Sequence, residues 1–268
     1  MGFLDELLAA NRSVVDDPGY LEGLPRKGPG RRPSLKRAIL AHRDAGAVLV
    51  EFKRVSPGQA HPYLPEHTVA EFLRRVEPAA PAGLSCLATR PSFQGSPRDV
   101  LELARRSGRP VLFKDFVVSE RQLEAAERSG ASAVLLIARL KRADLQLPSL
   151  GELADSAHRR GLEVLLEFHA EAELSEAEGV AADMFGVNAR DLDSLRIDRE
   201  TAESTLRGAR AAGLRPLLGL SGIESAEDAR RFWKEGVDGI LVGSSVARSS
   251  EPGTLLRSLR RPRAPGYR

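Results

Sequence analysis

At 268 residues, with 42% hydrophobic and 29% charged residues, the chain has the composition of a soluble globular protein and room for one large or two small domains. Its formal net charge of +3 is too small to mark a nucleic-acid binder, and no apolar run approaches the roughly 20 residues that a membrane span needs. A single cysteine, Cys86, excludes an intramolecular disulfide and favours a reducing, cytoplasmic setting.

The start, Met1 to Ala10, is amphipathic and carries Asp5 and Glu6, unlike a signal peptide, and reads as a short helix that caps a core. A Gly/Pro-rich stretch, Pro18 to Pro33, leads into a helical pattern from Ser34 to Ala45. Apolar runs then alternate with amphipathic segments to the end of the chain. A strand Ala47–Lys53 precedes a helix Val69–Val76, and Gly83–Ala88 precedes Arg98–Arg106. Pro110–Phe113 precedes Glu120–Arg128, Ala133–Ile137 precedes Leu150–Arg160, and Glu163–Phe168 follows. Met184–Asn188 precedes Arg199–Ala212, Pro216–Leu220 precedes Ala226–Glu235, and Gly239–Val242 closes the series. Ser119 and Ser225 are placed to cap the helices that follow them.

Eight such runs predict an α/β fold, a (β/α)8 TIM barrel with an N-terminal helical extension. No Gly-rich dinucleotide fingerprint follows the first strand, which argues against an open Rossmann sheet. The expected organisation is an extension over 1–45, a barrel over 46–260 and a basic tail over 261–268. The basic clusters Arg26-Lys27, Arg31-Arg32 and Arg260 to Arg263 lie among Pro and Gly without interleaved aromatics. They read as solvated linker and tail, not as a nucleic-acid contact.

In a barrel the active site lies at the C-terminal ends of the strands. Glu51 and Lys53 share one face of the first strand, and a buried acid and base there are costly unless paired or used. Taken alone, they fit a structural ion pair equally well. Ser56, Lys114, Glu167, Asn188 and Arg190 occupy the same end of other strands. Two acids, two lysines and an amide on one rim suit acid/base chemistry on an anion. Ser221-Gly222 and Gly243-Ser244 form permissive turns after strands seven and eight, where many barrels hold a phosphate.

Val50-Glu51-Phe52-Lys53-Arg54 with Ser56-Pro57 resembles the first-strand signature of indole-3-glycerol phosphate synthases. Phe93-Gln94-Gly95-Ser96, Lys114-Asp115-Phe116, Leu166-Glu167-Phe168-His169, Gly186 to Leu192 and Leu241-Val242-Gly243-Ser244 match later motifs of that family in order. The resemblance covers nearly the whole chain. It implies conversion of 1-(2-carboxyphenylamino)-1-deoxyribulose 5-phosphate to indole-3-glycerol phosphate, with loss of carbon dioxide and water. It assigns Lys114 as general acid, Lys53 to the substrate carboxylate, Glu51 and Glu167 to proton transfer around dehydration, and Asn188 to a substrate hydroxyl. Ser56, Arg190, Ser221, Gly222, Gly243 and Ser244 would line the substrate and phosphate sites, with Phe93 walling the aromatic pocket. No cofactor or metal is expected, and His42, His61, His67, His158 and His169 receive no catalytic role.

Three departures from the family pattern lie at the barrel mouth. Leu220 stands where the family usually has glutamate, Thr89-Arg90-Pro91-Ser92 is shorter than usual, and Gly58-Gln59-Ala60-His61 replaces a loop that usually carries lysine and glycine. Two other readings stay open: a diverged enzyme acting on a related arylamino deoxyribulose phosphate, and a phosphate-ligand binding barrel without catalysis. The expected partner is a small anionic sugar phosphate, with no nucleic acid or membrane, and the chain is expected as a monomer or weak homodimer.

Overall fold

Eight short strands close on themselves in the computed structural model, which describes residues 3–56, 68–140 and 148–262. They are β1 (Ala47–Phe52), β2 (Gly83–Leu87), β3 (Val111–Lys114), β4 (Ala133–Ile137), β5 (Glu163–Phe168), β6 (Met184–Asn188), β7 (Leu217–Leu220) and β8 (Gly239–Val242). Each pairs in parallel with the next, and β8 returns to β1, giving a (β/α)8 barrel. The predicted runs coincide with these strands to within a residue at either end. Pro110 and Pro216 fall just outside because proline has no N–H for the ladder, yet their carbonyls accept from Leu84 and Phe185.

The inner and outer rows of the strands separate by alternation. Val48, Val50 and Phe52 face the helices, with the Phe52 ring edge-on to Phe72 at 5.3 Å between centroids. Ala47 and Leu49 face the interior with Leu112, Leu135, Leu165, Leu218 and Leu241. Glu51 and Lys53 continue that inner row toward the C-terminal end.

Two helices, α1 (Phe3–Asp16) and α2 (Leu35–His42), precede the barrel, and the outer layer holds α3 (Val69–Val76), α4 (Pro97–Ser107), α5 (Glu120–Arg128), α6 (Leu150–Arg159), α7 (Arg199–Ala211) and α8 (Ala226–Lys234). Two short helices that the sequence reading did not separate, α9 (Ser244–Arg248) and α10 (Pro252–Ser258), end the described chain. After β5 a 3-10 segment, Glu171–Ala177, takes the place of a full helix. Ser225 caps α8 in a reciprocal capping box with Asp228. Ser119 stands at the N-cap of α5 but makes no cap bond. The Gln122 side chain satisfies that end instead, accepting from the Val118 N–H at 2.8 Å.

Two helices that precede the barrel close opposite ends of it. At the N-terminal end, the Glu163 carboxylate accepts from the backbone N–H groups of Leu35 and Lys36 at 2.8 and 3.0 Å, and from the Ser34 hydroxyl. A carboxylate at a helix N-terminus is favoured by the dipole, so β5 anchors α2 under the barrel. At the other end lies α1, which runs to Asp16, beyond the predicted Ala10, because Leu4, Leu7, Leu8, Asn11 and Val15 form one continuous buried stripe. Asn11 Nδ2 donates to Asp115 Oδ1 at 3.2 Å and to the Phe116 carbonyl at 3.3 Å.

Asp115 also accepts from Thr89 Oγ1 (2.6 Å), Gln122 Nε2 (3.0 Å) and the Phe116 N–H (2.9 Å). Burial raises its carboxyl above the ordinary value despite those bonds. Asp115→Ala would take an acceptor from the buried Asn11, Thr89 and Gln122 donors, leaving Asn11 and Gln122 only the Phe116 carbonyl. A loss of about 2–4 kcal/mol is expected in denaturant unfolding. A loss below about 0.5 kcal/mol would show that this junction does not hold α1.

Arg26, Lys27 and Arg31 of the basic clusters are exposed as expected, but three other members are fastened to the fold. Arg32 donates to the carbonyls of Arg160, Gly161 and Glu127, and Arg260 to that of Ala79. Arg261 donates to the Val237 carbonyl and lies 5.2 Å over the Trp233 ring. The loop Gly58-Gln59-Ala60-His61, with Pro57 and His67, lies outside the described residues, as does the tail from 263 onward.

Candidate active site

The C-terminal ends of the strands surround a cavity of about 470 Å³. Its lining includes Glu51, Lys53, Ser56, Phe93, Lys114, Asn188, Arg190, Ser221, Gly222, Gly243 and Ser244, and so contains every candidate from the sequence except Glu167. Lys53 and Lys114 flank Glu51, with Nζ–carboxylate distances of 3.4 and 3.7 Å. Glu51 is 6% exposed, and its Oε2 makes no hydrogen bond among the described residues. Burial pushes this carboxyl up, but Lys114 and Lys53 outweigh it and hold it below the ordinary carboxylate value.

Glu167 shows the opposite balance. It stands behind Asn188, whose Nδ2 donates to Glu167 Oε1 at 3.0 Å, and its Oε2 is buried without a partner among the described residues. Burial dominates there, Glu51 and Glu173 add repulsion, and the attraction of Lys114 does not compensate, so the carboxyl is raised. The site therefore holds one carboxyl biased toward the ionised form and one biased toward the protonated form. Such a split is how paired carboxyls divide acid and base work.

The β7 and β8 ends form the second half of the cavity. Ser221 and Gly222 have φ of 63° and 68°, two consecutive residues in the left-handed region. A left-handed serine is strained, and such strain gathers at binding sites. Gly243 has no room for a side chain, since a Cβ there would lie 2.8 Å from Glu51 Oε1. Lys53 Nζ donates to Ser244 Oγ at 2.7 Å, which joins the lysine pair to this corner.

The opposite wall is apolar. Phe93 and Phe116 stack at 6.3 Å between centroids, and Leu192 and Leu220 continue the surface. Leu220 is 1% exposed and packs over Gly186, where a Cβ would meet Leu220 Cδ1 at 2.8 Å. Arg190 lines the cavity and also braces its own loop, donating to the Leu195 carbonyl at 2.6 Å. Sequence reasoning missed Ile197, Arg199 and Arg248 in the lining. Arg248 was accessible as the residue four past Ser244, one helical turn along α9. Ile197 reaches the cavity only because the β6–α7 loop doubles back in an antiparallel bridge between Arg190 and Ile197.

Among solved structures, 3-hexulose-6-phosphate synthase from Salmonella typhimurium superposes with a TM-score of 0.61 at 15% identity, covering 80% of this chain and 96% of that one. Thiamine phosphate pyrophosphorylase from Pyrococcus furiosus gives 0.57 at 18% identity, over 82% and 95%. These likenesses establish the barrel alone. Sequence relatives go further. The chain is 38% identical to indole-3-glycerol phosphate synthase 2 of Streptomyces coelicolor over 85% of its own length and 86% of that protein. It is 32% identical to the indole-3-glycerol phosphate synthase of Desulfotalea psychrophila over 97% and 98%. Residues 24–259 match the family model described as indole-3-glycerol phosphate synthase. With a match over most of its length and the ordered site motifs on one cavity, the chain belongs to the indole-3-glycerol phosphate synthase family.

Proposed function

We propose that this enzyme, a carboxy-lyase, closes the indole ring of 1-(2-carboxyphenylamino)-1-deoxyribulose 5-phosphate, using the lysine pair, the two carboxyls and the glycine-serine corner. The reading is supported above all by one arrangement. Lys53 and Lys114 flank Glu51 in a cavity that also holds the Ser221-Gly222 and Gly243-Ser244 turns, with Ser244 directly against Lys53. A substrate that carries both a carboxylate and a phosphate matches this gathering of lysines and small, permissive turns.

In this scheme the phosphate seats on the backbone N–H groups of the two turns, and the aryl ring lies against Phe93 and Phe116. Lys53 holds the carboxylate. The ring carbon bearing that carboxylate attacks the ketone carbon while Lys114 gives a proton to the ketone oxygen. Carbon dioxide then leaves, and its bonding electrons restore the aromatic ring. The new hydroxyl departs as water with a proton from Glu167, oriented by Asn188. The hydrogen on the neighbouring carbon passes to Glu51, whose ionised form suits a base. Steady-state turnover of the substrate, followed by indole fluorescence, tests the assignment, and absence of product would remove it.

A second reading, a related arylamino deoxyribulose phosphate as substrate, draws on Leu220. A carboxylate at that position would accept one hydrogen bond from the substrate, worth about 1–1.5 kcal/mol, or about tenfold in kcat/KM. Leu220→Glu is therefore expected to raise kcat/KM on the carboxyphenylamino substrate about tenfold, and to lower Tm because it buries a charge. If kcat/KM and aryl preference both stay unchanged, Leu220 has no part in reading the ring. We also propose a monomer or weak homodimer, to be checked by sedimentation.

A further inference from the structure

We propose that His169 is a positioning residue for the acid side of this reaction, holding Asn188, and through it Glu167, from outside the cavity. The inference rests on the proposed ring closure. His169 is the first residue after β5, is 8% exposed, and does not line the catalytic cavity. Its Nδ1 lies 2.9 Å from the backbone carbonyl of Asn188. A carbonyl only accepts, so Nδ1 is the protonated nitrogen. The Asn188 carbonyl thus has a fixed donor, and its side chain is fixed twice more. Asn188 Oδ1 accepts from the Arg190 N–H at 3.0 Å, and Nδ2 donates to Glu167 at 3.0 Å.

His169 is itself locked by a closed ring of partners drawn from three successive barrel corners. Its backbone N–H donates to Glu173 Oε2 at 2.7 Å. Glu173 Oε1 accepts from Arg139 Nε at 2.9 Å, and Arg139 Nη1 donates to Asp191 Oδ2 at 2.7 Å. Asp191 Oδ2 then lies 3.4 Å from His169 Nε2, which closes the ring in space; with the proton on Nδ1 this is a contact between two acceptors and not a hydrogen bond. None of these four residues lines the catalytic cavity, whereas His169 and Asp191 border an adjoining cleft of about 630 Å³ that shares Ile197 and Arg199 with it. The ring ties the ends of β4, β5 and β6 together beside Glu167 and Asn188. A misplacement of about 1 Å there is enough to cost about 10²-fold in rate.

The test compares three variants with the wild-type enzyme. In His169→Asn the side-chain amide nitrogen takes the place of Nδ1 and can still donate to the Asn188 carbonyl. His169→Gln places its amide nitrogen toward Nε2, and His169→Leu supplies no donor. His169→Leu and His169→Gln are each expected to lower kcat about 10²-fold with KM within about twofold, and His169→Asn to stay within about fivefold of wild type. His169→Gln keeps the comparison usable if the leucine variant folds poorly.

The second readout needs no turnover. The side-chain amide resonance of Asn188, assigned by its disappearance in Asn188→Asp, is expected to shift in His169→Leu and His169→Gln and to hold its place in His169→Asn. A wild-type enzyme without turnover would remove the proposed reaction, while the amide resonance would still decide the role of His169. An unmoved Asn188 resonance in both His169→Leu and His169→Gln overturns the inference, as does a His169→Asn variant as slow as His169→Leu.

Discussion

Lys114→Ala is expected to lower kcat about 10²–10⁴-fold, the range that a positioned general acid contributes. The loss should fall mainly on kcat, because Lys53 remains for the carboxylate and the β7 and β8 corners remain for the phosphate. Lys114→Arg should not restore the rate, since a guanidinium keeps its protons at any accessible pH. A second effect separates this from a general disturbance. Lys114 is one of the two cations that hold the Glu51 carboxyl below its ordinary value of 4.5, against burial that raises it. With Lys114 gone, the acid limb of the kcat profile, where Glu51 takes up a proton, should move to higher pH. Full turnover in Lys114→Ala, or an unmoved acid limb in the residual rate, would contradict the assignment.

Glu167→Gln should separate activity from stability. The loss of the acid that protonates the departing hydroxyl is expected to lower kcat at least about 10²-fold. Stability should move the other way. The folded-state carboxyl is raised by burial, so its contribution is complete below its unfolded value and is lost as pH rises through the raised one. Glutamine does not titrate, can still accept from Asn188, and gives the buried Oε2 position a neutral group. A gain of about 1 kcal/mol, or about 2–4 °C in Tm, is expected near neutral pH, shrinking toward pH ~4. Scanning calorimetry across that range checks the sign. A glutamine variant less stable than wild type at neutral pH would mean that the ionised Glu167 is favourably held. Exchange of stability for function at a buried acid is common in active sites.

The barrel was legible because parallel strands buried on both faces read as unbroken apolar runs, and each of the eight kept its place. The inner row was legible as well, since alternation alone puts Glu51 and Lys53 on one face. What alternation cannot give is height along the barrel axis. Glu167 and Asn188 are neighbouring inward residues, yet only Asn188 meets the cavity and Glu167 lies behind it. The length of α1 escaped notice because its buried stripe is defined by what it docks on, the end of β3 about a hundred residues later. His169 was left without a role for a similar reason, since its meaning comes from a carbonyl on another strand.

Closure of β8 onto β1 has a consequence for how the enzyme comes into being. Glu51 and Lys53 are made early, while Gly243 and Ser244 press against them from much later in the chain, Ser244 arriving 191 residues after Lys53 in the order of synthesis. No nascent chain short of the last strand contains a working site, whatever partial barrel it has formed. Contacts of such long sequence separation form slowly and late in folding. Catalytic competence in this chain is therefore a property of the finished circle, and a polypeptide cut anywhere before Gly243 is expected to be inert until the missing arc is supplied in trans.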